Sequence, residues 1–191
     1  RDSSTSRGLG DVYKRQHSFL SIFGYGSIMG ILKNYEVLNP FVSSTTDALR
    51  RLKPGFEAPV CIVTSIGRSV EVPSRNRSVL IGVVREMQSP LATRFELRAP
   101  NPGTNTYIAV GALYIAMVDG IEYAVKNNKS EEDLLKELSK KKGESADYFD
   151  KDREYRSEID VFECYSDEER ENLFGKAPAT VSYTHLRAHE T

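Results

Sequence analysis

Hydrophobic positions along the chain follow helical and extended periods in turn. A short apolar run, Ser18 to Phe23, leads into Gly24-Tyr25-Gly26-Ser27-Ile28-Met29-Gly30. Ile28, Ile31, Leu32, Tyr35 and Leu38 then recur at helical spacing until Pro40 stops the pattern, which predicts a helix near 27–38. Pro54-Gly55 marks a loop. Beyond it, Val60 to Ile66 and Val79 to Val84 are apolar and rich in β-branched residues, as strands buried on at least one face are. Thr93 to Ala99 alternates: Phe95 and Leu97 point one way, and Arg94, Glu96 and Arg98 share the other face.

Pro100-Asn101-Pro102-Gly103 is a turn cluster. It precedes a long helix, roughly Thr106 to Lys126, with Ile108, Ala112, Leu113, Ala116, Met117 and Ile121 as its apolar stripe. Ser130-Glu131-Glu132-Asp133 has the form of a capping box for a helix through Lys141, ended by Gly143. Glu144 to Glu158 is highly charged and has no Val, Ile or Leu. Ser166-Asp167-Glu168-Glu169 caps a last short helix that closes at Gly175. These elements predict an α+β fold. A partial, mostly antiparallel sheet of strands near 60–66, 78–85 and 93–99 packs helices near 27–38 and 106–127 on its apolar side. A charged helical extension, 128–180, follows.

Composition narrows the function without naming it. The 191 residues are 39% hydrophobic and 28% charged, with a formal net charge of −1, the profile of a soluble globular protein. That balance offers no electrostatic support for nucleic-acid binding. No uninterrupted apolar run reaches the length of a membrane span, and a cytoplasmic location is expected. Cys61 and Cys164 lack metal-ligand spacing and read as reduced thiols. Both ends look foreign: 1–16 lacks apolar periodicity, 181–191 breaks the preceding logic, and both resemble translated sequencing-adapter read-through. The remaining chain divides into 17–127 and the extension.

The candidate chemistry lies in charged residues on elements that otherwise read as buried. Arg94, Glu96 and Arg98 on one strand face are either a solvent-facing ion-pair ladder or the lining of a polar cavity. In the cavity, the carboxylate would hold a divalent cation and the arginines anionic groups. Glu57 sits in a Pro-Gly-Phe-Glu-Ala-Pro loop, where stiff flanks suit either a solvated side chain or a carboxylate held over a site. Arg77 lies in the polar stretch just before a buried strand.

Three pieces in order, RLKPGFEAP, NRS and RFELRAPNPGTNTYIAVGALYIAMVDGI, resemble the C-terminal part of the catalytic domain of glutamine synthetase, and the likeness runs from Gly30 to Ile121. Asp152 to Ser157 and Leu173-Phe174-Gly175 resemble the extra C-terminal segment of a long bacterial form. The resemblance implies ATP-dependent ligation of ammonia to glutamate through a γ-glutamyl phosphate, with Mg2+ or Mn2+, in a homo-oligomeric ring. It further implies that Arg51 and Arg98 bind glutamate, that Glu96 is a metal ligand, and that Arg77 and Arg94 bind ATP. Arg77 would also stabilise phosphoryl transfer, and Glu57 would act as a flap that excludes water and takes a proton from ammonium.

Departures from that pattern are Gly82, where many members carry a second arginine, Asn34 in place of a common histidine, and Thr106 in place of a proline. Further metal carboxylates and a nucleotide-site histidine belong upstream of this chain, so a fragment without synthetase activity of its own is expected. Two other classes compete. The glycines at 24–30 resemble a dinucleotide-binding fingerprint, although no acidic residue ends a second strand at the right distance. The helices from Ser130 onward also fit a non-enzymatic interaction module or a solvated appendage.

Overall fold

The computed structural model describes residues 20–44, 61–85 and 93–175. Among them are four helices, α1 (Ile22–Val42), α2 (Thr106–Lys126), α3 (Glu131–Leu138) and α4 (Asp167–Phe174), and three strands, β1 (Cys61–Ser65), β2 (Val79–Val84) and β3 (Arg94–Leu97). The class is α+β, and the strand order is β1-β2-β3. β2 and β3 pair antiparallel, with Gly82 opposite Glu96 and Val83 opposite Phe95, whereas β1 and β2 run parallel. The sheet is therefore mixed rather than mostly antiparallel. A parallel pair needs a connection long enough to carry the chain back to its starting end. Residues 66–78 form that connection, and they build one wall of the cleft described below.

α1 begins earlier and ends later than the sequence pattern suggests. Ser21 caps it by accepting from the Gly24 amide, and the glycine run lies inside the helix rather than in a strand-to-helix turn, which removes the dinucleotide fingerprint. Pro40 does not stop α1. It stands in the last turn, where its missing N–H forfeits a single helical bond. Beyond it Val42 is fully buried, and the Val42 carbonyl accepts from the Thr104 hydroxyl at 2.6 Å and the Asn101 amide at 3.3 Å.

α2 packs across α1 through small residues. A Cβ placed on Gly30 would strike the Ala116 carbonyl oxygen and stand 2.9 Å from the Gly120 nitrogen. One on Gly120 would strike the Gly26 oxygen and stand 2.6 Å from the Gly30 nitrogen. Glycine is required here by the approach of one backbone to another. This contact also corrects the predicted stripe. The buried positions of α2 are Ala109, Ala116, Gly120 and Ala124, while Ile108 is 53% exposed. When backbones touch, small side chains occupy the contact and larger ones move to its margins; Ala112, Leu113 and Met117 pack there, partly buried.

By length and composition α2 is also apolar enough to cross a membrane, which a search for uninterrupted apolar runs misses because Asp119 and Glu122 fall within it. Asp119 is a structural carboxylate in this fold. It accepts from Tyr148 Oη at 2.5 Å and from Asn34 Nδ2 at 3.1 Å, tying α1, α2 and the C-terminal region together. Asn34 thus has a packing role of its own.

The charged C-terminal region is not simply a solvated appendage. Leu134, Leu138, Tyr148, Phe149 and Tyr155 join the main core, and Val161 and Phe174 join a second cluster with Cys61, Val63 and Val79. Aromatic residues supply burial where Glu144 to Glu158 lacks aliphatic ones; Phe149 and Tyr155 stack with ring centroids 3.9 Å apart. The capping boxes at Ser130 and Ser166 form as the pattern predicts. α3 ends at Leu138, and Gly143 takes φ +89° in the turn beyond. Both cysteines are free, and burial pushes the Cys61 thiol up to about 12.

Candidate functional site

β3 carries its charges on the face predicted by its alternation. Phe95 and Leu97 pack against the core, leaving Arg94, Glu96 and Arg98 in a row on the opposite face. Arg94 Nη2 donates to Glu96 Oε1 at 3.1 Å, and Arg98 Nη2 lies 3.7 Å from Glu96 Oε2. The row deepens along the strand: the Arg94 side chain is 59% exposed and that of Arg98 only 18%. At the exposed end such a pair stabilises by at most about 1 kcal/mol. At the inner end a guanidinium is held in place and partly desolvated, where it binds a carboxylate more strongly.

The neighbouring strand makes room for that inner arginine. Gly82 pairs with Glu96, and a Cβ there would lie 2.8 Å from Arg98 Nη2. The absence of a side chain at 82 is thus what lets the Arg98 guanidinium lie over β2. Beyond the end of β2, Arg85 Nη1 donates to the Val70 carbonyl at 3.0 Å, and burial lowers its pKa.

A second feature lies just before the start of β2. The 66–78 connection and the segment from Glu158 enclose an open cleft of about 920 Å³, lined by Arg68, Glu71, Arg75 and Arg77 with Asp160 and Phe162 across from them. Arg77 is exposed on this cleft, and none of Arg94, Glu96 and Arg98 is among its described lining residues. The structure therefore unites three of the predicted site residues in one ion-paired row, and Arg77 lines the cleft. Arg51 and Glu57 lie outside the described residues.

One charged group at the cleft escaped the sequence pattern altogether. Glu158 accepts from Ser65 Oγ at 2.5 Å, Ile66 N at 3.1 Å, Gly67 N at 2.9 Å and Arg156 Nε at 2.8 Å. Burial raises its pKa, but these donors outweigh that and hold the carboxyl below its ordinary range. Arg156 also donates to Ser139 Oγ and to the Gly67 carbonyl, each at 2.8 Å. In the fold, buried Tyr155 and Ser157 alternate with half-buried Arg156 and Glu158 as in a strand. Thr64 and Arg156 do form a parallel bridge, laying this segment along the outer edge of β1.

The profile of the glutamine synthetase catalytic domain matches residues 11–151. The chain is 42% identical over 95 residues to a glutamine synthetase of Azotobacter vinelandii, an alignment covering 50% of this chain and 18% of the relative. A glutamine synthetase of Methylococcus capsulatus is 32% identical over 146 residues, covering 71% of this chain and 29% of the relative. A Plasmodium falciparum glutamine synthetase solved by cryo-electron microscopy aligns with a TM-score of 0.47 and 28% identity over 55% of this chain and 19% of that one. The chain spans less than a third of the length of these relatives.

Proposed function

Because the chain belongs to the glutamine synthetase catalytic-domain family, we propose that it is one wall of the active site of an ATP-dependent glutamate–ammonia ligase. The observation that carries this reading is the Arg94–Glu96–Arg98 row, held by ion pairs and seated over Gly82 within the matched segment. Arg98, the more enclosed of the two arginines, receives a carboxylate of glutamate in bidentate fashion, with Arg51 as its partner. Arg94, at the exposed end, meets the nucleotide. Arg77 meets the phosphates from the cleft and stabilises the charge that builds up as the phosphoryl group transfers. Glu57 closes over the acyl phosphate, keeps water from hydrolysing it, and accepts a proton from ammonium.

The divalent metal is another matter. Glu96 is a candidate ligand, but no three metal-ligating side chains converge among the described residues, and both neighbours of Glu96 in the row are cationic. Mg2+ and Mn2+ require several oxygen ligands. These residues alone do not fit such a site. A homo-oligomeric ring in the cytoplasm, and a C-terminal extension spanning 128–180, belong to the same proposal.

The test is ADP release that depends on both glutamate and ammonia. The complete reading frame carrying this segment shows it, and Arg98→Ala and Arg77→Ala reduce it at least about 100-fold, the scale on which loss of one charge-stabilising donor is felt. The 191-residue chain alone shows none. Full turnover by the chain alone would refute the one-wall reading, and wild-type turnover in the Arg98→Ala enzyme would refute the role of the row.

A further inference from the structure

The two residues flanking Arg77 are gripped by a segment some eighty positions further along the chain. Asn76 Nδ2 donates to the carbonyls of Ser157 at 3.3 Å and Ile159 at 2.7 Å. Asn76 Oδ1 accepts from the Ser78 amide at 3.0 Å and the Ser78 hydroxyl at 2.6 Å. Ser78 Oγ in turn accepts from the Val161 amide at 2.9 Å. Both neighbours of Arg77 are therefore fastened to 157–161, while Arg77 itself lines the cleft.

Glu158 fastens this segment from beneath. Its four donors come from the end of β1, the turn after it, and Arg156. Ser65, one of those donors, also contacts Ser74 Oγ, and Ser74 Oγ accepts from the Asn76 amide at 3.2 Å. A continuous hydrogen-bonded path thus runs from the Glu158 carboxylate through Ser65 and Ser74 to the residue before Arg77. A loop arginine loses much rotamer freedom when it binds, and a fixed backbone beneath it removes part of that cost beforehand.

We propose that Glu158 is a positioning residue for Arg77: acting through Ser65, Ser74 and Asn76, it sets the direction in which the guanidinium enters the cleft to meet a polyphosphate chain. This rests on the reading of Arg77 as a phosphate-binding group. It assigns to the C-terminal segment a part in the nucleotide end of the site, which nothing in the Arg94–Glu96–Arg98 row requires. Glutamine at 158 has the same shape, but its amide turns one acceptor oxygen into a donor. Each carboxylate oxygen accepts two of the four donors, so the new donor faces two of them whichever oxygen it replaces, and the substitution loosens the anchorage without opening a cavity.

The experiment titrates the 191-residue chain with magnesium-free inorganic tripolyphosphate, following the arginine Nε–Hε resonances by NMR, with thermal unfolding of each variant in parallel. In the wild type the Arg77 signal shifts on titration, and Arg77→Ala abolishes the site. Glu158→Gln weakens the affinity about 5-fold, the worth of one immobilised side chain. It also moves the Arg77 resonance before any ligand is added and speeds hydrogen exchange at the Ser78 amide. Asn76→Asp is the second variant, should Glu158→Gln fail to fold. It keeps both acceptors for Ser78, loses the donors to Ser157 and Ile159, and weakens binding to a similar degree. If Arg77→Ala abolishes binding while the folded variants bind as tightly as wild type with an unmoved Arg77 signal, the positioning role is overturned. If wild type and Arg77→Ala bind alike, or neither binds, the phosphate reading of Arg77 falls and the proposal falls with it.

Discussion

The contact between α1 and α2 makes a prediction whose sign differs between two glycines of one helix. Gly120→Ala places a methyl group against the Gly26 carbonyl oxygen, 2.6 Å from the Gly30 nitrogen and 2.8 Å from the Gly30 Cα. Every one of these atoms is backbone, so no rotamer change can relieve the clash and the helices must separate. Overpacking of this kind costs about 3 kcal/mol, the upper part of its usual range. Replacing a mid-helix glycine by alanine returns about 1 kcal/mol of helix propensity. The net loss is about 2 kcal/mol, or a fall in Tm of roughly 4–8 °C for a chain of this size.

Gly111→Ala is the matched control. It lies in the same helix, and a Cβ there meets nothing within 4 Å, so only the propensity gain remains. It should raise Tm by roughly 2–4 °C. Far-UV circular dichroism melts, repeated with urea to check the midpoints, measure both variants. If the two substitutions shift Tm in the same direction by similar amounts, α1 and α2 do not meet backbone to backbone at Gly26, Gly30 and Gly120.

Two further outcomes follow from the site. Gly82→Ala meets only the end of the Arg98 side chain, so stability should change by less than about 1 kcal/mol. The guanidinium must swing off β2, however, and the Arg98 Nε–Hε resonance should move; an unmoved resonance would contradict the cradle at Gly82. Glu158 contributes to stability with a definite pH dependence, because its folded pKa is depressed below the ordinary 4.5. That contribution is complete above the unfolded pKa and is lost as pH falls through the folded one. The stability gap between wild type and Glu158→Gln, measured by urea unfolding, should therefore be constant from pH 7 to 5 and narrow below about 4.5; a gap that widens on acidification would refute the ionised, donor-caged carboxylate.

Much of the local structure was legible from the order of residues alone, because short-range periods report it directly. The alternation through Thr93 to Ala99 places Arg94, Glu96 and Arg98 on one face whatever the sheet does next. Ser130 and Ser166, each with an acidic residue three positions on, cap their helices by contacts within a single turn. The α+β class follows from the same patterns. Other features depended on which segments meet. Small residues, not the large apolar ones, line the contact face of α2, since α1 approaches closely enough for backbones to touch. β2 lies parallel to β1 because the 66–78 connection is long enough to return. Gly82 looks like a missing arginine until Arg98 is seen lying across it. Glu158 looks like one acid among many until four donors, three of them more than ninety positions earlier, close around it. Periodicity determines which way a side chain faces on its own element. What it faces is decided by packing between distant segments, and only the folded chain supplies those partners.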